Sequence, residues 1–220
     1  MNFRYRQIFP FLFLVAVFSC NPKDSSAPGN TAQHLPQLQR KEIHRMRSMA
    51  TQPCEDCDLM FHGMPLKLAA TDTTAGWHEG GQRLVISGTV YQPDQKTPAA
   101  NVILYIYHTD KTGQYSPRDY VPNSARKHGH IRGWVMTGED GRYSIYTSRP
   151  VAYPNQKIEA HIHVMLKEPD IDSPYWLDEW VFDDDPLLTK DIRGKAQNRG
   201  GSGIIKVNTK DGIQYANHDI

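Results

Sequence analysis

The 220-residue chain has only three cysteines, no large excess of charge of either sign, no internal repeat and no sustained helical periodicity. Each lack removes a class of protein. With 25 lysines and arginines against 24 aspartates and glutamates, there is no broad field with which to hold a polyanion, so nucleic acid is not an expected partner. The length suits one medium domain and is too short for two independent cores of ordinary size. The longest apolar run, residues 8–18, falls short of the roughly 20 residues of a spanning helix. Because it follows Arg4 and Arg6, it reads instead as a secretory signal over residues 1–19.

That run ends in Leu14-Val15-Ala16-Val17-Phe18-Ser19-Cys20, which resembles a bacterial lipobox with Cys20 as the acylated residue; plain secretion with a free Cys20 is the alternative. Acyl chains there would anchor the chain in the cell envelope without a spanning helix, as its sole association with a membrane. Residues 20–53 then form a linker: 21–37 are rich in Ser, Pro, Asn, Gly and Gln, and the basic stretch 40–47 reads as solvated rather than as a headgroup-binding helix. Cys54 and Cys57 remain as a pair within a lead-in segment, residues 54–79, and an exported compartment favours their joining as a local disulfide. A weaker reading makes Cys54, Cys57, His62 and Met64 a soft-metal site for copper or zinc, working alongside a downstream histidine pair.

From about residue 80 to the end, short β-rich runs alternate with Gly, Pro and Asp signals, which is an all-β pattern. Strands are expected over 83–91, 101–108, 134–137, 142–147, 158–167, 176–182 and 203–208. Asp140-Gly141 and Asp211-Gly212 read as tight hairpin turns. Seven or more strands suggest a two-sheet sandwich, with the run through Val102, Leu104 and Ile106 buried on both faces. Long loops such as 114–132 are the expected seat of a site.

The chemistry concentrates in Glu159-Ala160-His161-Ile162-His163-Val164. On a strand, both imidazoles leave one face while Ile162 and Val164 point to the other, a spacing that suits metal chelation. Upstream, Pro154 holds Tyr153 extended, and the turn Asp110-Lys111-Thr112-Gly113 precedes Tyr115. Two phenols and two imidazoles make a ligand set.

Three blocks carry a family resemblance: Ile86 through His108 to Gly113-Gln114-Tyr115; Arg132-Gly133-Trp134 with Asp140-Gly141-Arg142-Tyr143; and Pro150 to Val164 with its Tyr-Pro and Ala-His-x-His elements. Residues 88–186 thereby resemble the core of the intradiol ring-cleavage dioxygenases. The resemblance implies a β-sandwich in which Tyr115, Tyr153, His161 and His163 bind a mononuclear non-haem Fe(III). Tyr120, which lacks the preceding Gly-x, competes less well with Tyr115. It also implies a small aromatic diol and O₂ as substrates, with Tyr153 released as a ligand to accept a substrate proton. Ring opening between the oxygen-bearing carbons would then give a muconate-type diacid.

The match departs from the family around the metal. Where family members carry an Arg and a Gln, this chain aligns Ile158 and Glu179; these two, with Arg132 and Trp180, are the expected surroundings of the ligands and substrate pocket. Losing a cation near developing negative charge removes a stabilising contribution of several kcal/mol. The rival reading is therefore a non-catalytic lipoprotein that binds metal or ligand on the same sandwich. His108 is expected at a strand end beside the pocket, His128 and His130 in solvated or pocket-wall positions, and Tyr175, Trp176 and Trp180 either stacked on substrate or in the core. Homo-oligomerisation is left open.

Overall fold

The computed structural model describes residues 54–195 and 197–220. The leader, Cys20 and the basic stretch 40–47 lie outside them. Among the described residues, eleven strands are arranged in two mixed sheets. One sheet holds β1 (Thr71–Thr73), β2 (Arg83–Thr89), β5 (Arg142–Ser148), β10 (Asn208–Lys210) and β11 (Ile213–Asn217), ordered β1-β5-β2-β11-β10. The other holds β3 (Ile103–His108), β4 (Arg132–Met136), β6 (His161–Lys167), β8 (Trp180–Phe182) and β9 (Ile204–Ile205), ordered β4-β3-β6-β8-β9, with β7 (Tyr175–Trp176) paired to β6. A four-residue helix, α1 (Lys190–Arg193), begins on Thr189, whose hydroxyl accepts from the Ile192 amide.

Alternation along the strands divides the apolar residues between two cores. Leu84, Ile86, Tyr143 and Ile145 face Leu104, Ile106, Ile162, Val164, Trp180 and Phe182 between the sheets. On the outer face of the second sheet, Ile103, Tyr105, Tyr107, Trp134 and Met165 would be wet were they not covered by Cys57, Met60 and Phe61 of the lead-in segment. All six residues of β3 are buried, as the doubly apolar run requires. The lead-in is closed on itself by the Cys54–Cys57 disulfide and fastened to the sheet by Trp134 Nε1 donating to Met60 O at 2.7 Å and by Arg132 Nη2 donating to Leu59 O and His62 O.

Several expected elements are redrawn. Asp140-Gly141 is not a hairpin turn, because β4 and β5 lie in different sheets and this turn carries the chain across the sandwich. Asp211-Gly212 is one: both residues have positive φ and link antiparallel β10 and β11, as a two-residue turn between right-twisted strands demands. The strand expected from 158 starts only at His161, since the Ala160 amide is taken by Asp185 Oδ2 rather than by a neighbouring strand. The run 176–182 breaks into β7 and β8 where the Asp178 carboxylate turns aside to the Asn198 amide and Arg199. Among the described residues, no helix is long and apolar enough to cross a membrane.

Candidate metal centre

His161 and His163 leave the same face of β6, their ring centroids 4.8 Å apart and nearly perpendicular. Two loops bring phenols to them. The Tyr115 hydroxyl lies 2.8 Å from His163 Nε2, the Tyr153 hydroxyl 2.9 Å from His161 Nε2, and the two hydroxyls are 2.7 Å apart. Four donor atoms from three segments thus form one continuous row. Both tautomers follow from the outer nitrogens: His161 Nδ1 donates to Glu159 O at 2.8 Å, and His163 Nδ1 to Glu179 Oε1 at 2.8 Å. Each Nε2 is therefore left with a lone pair aimed at the phenols, the tautomer a metal ligand requires.

The loops are set by their own chemistry. The Asp110 carboxylate accepts from the Thr112 and Gln114 amides and from the Thr112 and Ser116 hydroxyls, closing the turn before Tyr115. Burial opposes its ionisation, yet the Ser116 and Thr112 hydrogen bonds hold it down to about 2. Thr109 Oγ1 donates to Val151 O at 2.6 Å, tying this loop to the one that bears Tyr153. Gly113, at φ +75°, sits against that second loop so tightly that a Cβ would lie 2.4 Å from Ala152 O. A glycine in the left-handed region is what this approach needs.

Burial raises the pKa of both phenols; for Tyr115 the hydrogen bond and charge of Tyr153 push further the same way. The phenols thus hold their protons until a cation offsets the cost of two anions. Two neutral imidazole nitrogens and two phenol oxygens fit a hard trivalent metal, since the phenolates would offset most of its charge and the imidazoles add none. His161, His163 and Glu179 also place ligand atoms within 4.8 Å of one another. The Glu179 carboxylate, however, faces the Nδ1 side of His163, away from the phenols, and so orients the imidazole from behind rather than joining the row.

Aromatic rings buttress the centre. Tyr107, opposite His163 in the β3–β6 register, stacks on it at 4.5 Å and on His128 at 3.7 Å. Tyr105 donates its hydroxyl proton to His128 Nδ1 and accepts from Arg132 Nε at 2.7 Å. A cavity of about 580 Å³ opens beside His163, with Tyr107, Trp176, Glu159 and Glu179 on its wall.

The structure brings together Tyr115, Tyr153, His161, His163 and, behind them, Glu179. The other expected neighbours go elsewhere. Trp180 is fully buried between the sheets and stacks on Tyr143, because its strand position faces the opposite way from the ligands. Arg132 is spent on Tyr105 and the lead-in carbonyls. Ile158 stands at the surface, 37% exposed, and Tyr120 is 68% exposed, far from the role of a ligand. His128 and His130 are buried rather than solvated, the latter bonded to Ser116 O and Glu79. His108 points between the sheets toward Thr147 and not into the pocket. The soft-metal reading loses its thiolates to the disulfide, and its His62 is bonded to Ser124. Sequence reasoning gave Tyr107 no role, although the alternation that places it on the ligand face of a neighbouring strand was an available signal; it set His128 in a solvated or pocket-wall position and did not foresee its stacking on Tyr107.

A dioxygenase family model matches residues 60–201. Catechol 1,2-dioxygenase 1 of Acinetobacter lwoffii is 43% identical over 70 residues, covering 32% of this chain and 22% of that protein. The catechol 1,2-dioxygenase of Acinetobacter baylyi is 27% identical over 124 residues, 49% of this chain and 39% of that one. The matched part therefore spans well under half of either curated relative. Among solved structures, the dioxygenase domain of a carbohydrate-binding fusion from Streptomyces sp. SirexAA-E superimposes with a TM-score of 0.52 at 22% identity, over 70% of this chain and 86% of that one. The 3-chlorocatechol 1,2-dioxygenase of Rhodococcus opacus gives 0.51 at 19%, over 68% and 62%. Both share the sandwich fold.

Proposed function

The chain belongs to the intradiol ring-cleavage dioxygenase family, and from that membership and the row of four donors we propose that it binds one ferric ion and opens catechol-type rings with O₂. The observation that carries the reading is the continuous contact His163 Nε2, Tyr115 Oη, Tyr153 Oη, His161 Nε2, with both imidazole lone pairs turned inward. Bound there, a ferric ion would supply the Lewis acidity that draws a diol's electrons toward O₂. Tyr115, the more buried phenol and the one clasped by the Asp110 turn, is the fixed oxygen of the pair. Tyr153, less buried and held on a loop, is the one suited to take a proton from a diol hydroxyl at its Oη. The edge of Tyr107 and the ring of Trp176 line the cavity beside His163 and give a substrate ring aromatic surface to pack on. The reaction places both atoms of O₂ in the product while the bond between the two oxygen-bearing carbons breaks, giving a diacid without an external reductant.

Arg132, the cation expected near the donors, is spent on Tyr105 and the lead-in carbonyls, and Ile158 stands at the surface; this favours a second reading, in which the same centre binds metal and ligand without turnover. Oxygen consumption by the iron-loaded protein, measured with a panel of catechols alongside product mass, separates the two. Stoichiometric O₂ uptake with diacid formation supports the dioxygenase; tight diol binding with no uptake supports the binder. Export and acylation at Cys20 belong to the same proposal and place the enzyme on the cell envelope. Mass spectrometry of the mature N-terminus tests that part.

A further inference from the structure

The wall of the cavity beside His163 carries five carboxylates, Glu55, Asp56, Glu159, Asp178 and Glu179, against three cations. The cations are largely committed: Arg193 is bound to Asp183, outside the cavity, and Arg199 to Asp178. Asp56 pairs with Lys127, whereas Glu179 accepts a hydrogen bond from the neutral His163 and keeps its charge. What faces the cavity without a cationic partner, among the described residues, is Glu55, Glu159 and Glu179 against Lys195 alone. A second observation is independent of charge. Tyr107 is 8% exposed, with its ring locked between His163 and His128, and its hydroxyl finds no hydrogen-bond partner among the described residues while its side chain lines this cavity. A phenol so fully packed, with its polar end unclaimed at a cavity wall, is placed to meet a ligand.

Resting on the dioxygenase reading, we propose that this pocket selects diols by the charge of their ring substituent, accepting an ammonium-bearing side chain through Tyr107 Oη and the Glu55 and Glu159 carboxylates and disfavouring carboxylate-bearing rings. A cavity with net negative walls raises the local concentration of cations and lowers that of anions. Tyr107 adds what charge alone lacks, a fixed hydrogen-bonding atom that receives an N–H.

The test is calorimetric titration of the mature, iron-loaded protein under anaerobic conditions with three probes of similar size: dopamine, ethylcatechol and homoprotocatechuate. The expected order of affinity is dopamine, then ethylcatechol, then homoprotocatechuate, with about tenfold between the first and last and a narrower gap at high salt. Tyr107→Phe, which keeps the stack, is expected to weaken dopamine more than ethylcatechol; Glu55→Gln with Glu159→Gln is expected to bring dopamine and homoprotocatechuate close together. Equal affinities, or preference for the carboxylate, in the unaltered protein overturn the proposal while leaving the dioxygenase reading intact. An equal effect of Tyr107→Phe on dopamine and ethylcatechol removes Tyr107 from it. If none of the three diols binds, the dioxygenase reading fails and this one with it.

Discussion

Glu179 shows how one side chain changes role between sequence and structure. In the sequence it stands where a family glutamine is expected, in a pocket wall; in the structure its carboxylate is 2.8 Å from His163 Nδ1 and fixes which nitrogen of that ring is free. Hydrogen bonds of this kind orient a ligand and raise its basicity, and their loss typically weakens metal affinity by about 10–100-fold. Glu179→Ala is therefore expected to lower ferric affinity by about that much in chelator competition, with Glu179→Gln recovering part of it; unchanged affinity in both would deny the carboxylate its positioning role. His161, His163 and Tyr153 were legible from residue type and spacing, because alternation on a strand and a Pro-fixed tyrosine are local signals, whereas Tyr115 was preferred to Tyr120 only through the family resemblance. Arg132 and Trp180 were misplaced because which face a strand turns to the core, and what a buried guanidinium is bonded to, depend on partners distant in sequence: Tyr143 for Trp180, and the Leu59 and His62 carbonyls for Arg132.

Among the elements, the Tyr115 loop and the Tyr153 loop matter most, because neither phenol is on a strand. Their mutual position rests on Gly113 pressed against Ala152 O and on the bond from Thr109 to Val151 O. In Gly113→Ala a methyl group would have to displace a backbone carbonyl from a residue already at positive φ, a change costing about 1–3 kcal/mol. The expected result is a protein with unaltered far-ultraviolet circular dichroism, lower stability to urea and reduced iron occupancy. Full occupancy at unchanged stability would show that the loops are held otherwise. The strands near the site were legible as apolar runs, yet their limits were not. Asp185 and Asp178 end or interrupt strands by capturing amides with their side chains, and a periodicity count does not register such bonds. The turn at Asp140-Gly141 has hairpin chemistry but joins two sheets, since turn residues fix local direction and not the partner that a strand finds next.

At the scale of the whole molecule, the sandwich was legible as seven or more short strands, while the second core beneath the lead-in segment was not, because β3 gives no sign of what covers its outer face. Two buried histidines give this assembly a defined acid response. Burial pushes His108 down to about 4 and His128 down to about 3, the latter also opposed by the Arg132 charge. Below about pH 6.5 the unfolded chain takes up protons at these residues that the folded chain refuses. Their contribution is therefore intact above pH 6.5 and is lost as pH falls toward 4. Urea unfolding of the metal-free protein is expected to show a stability lower at pH 5 than at pH 7 by on the order of 2 kcal/mol, in a window where most carboxylates stay ionised; equal stability at both would mean that these imidazoles charge without opening the fold. The central claim, that two phenols and two imidazoles of this sandwich close on one trivalent iron, is tested most directly by the visible absorption spectrum of the ferric-loaded protein alongside its iron content. The account predicts one iron per chain and a strong phenolate-to-iron charge-transfer band that changes in energy or intensity in both Tyr115→Phe and Tyr153→Phe. One tightly held ferric ion per chain with no such band, or a band indifferent to both substitutions, would contradict it.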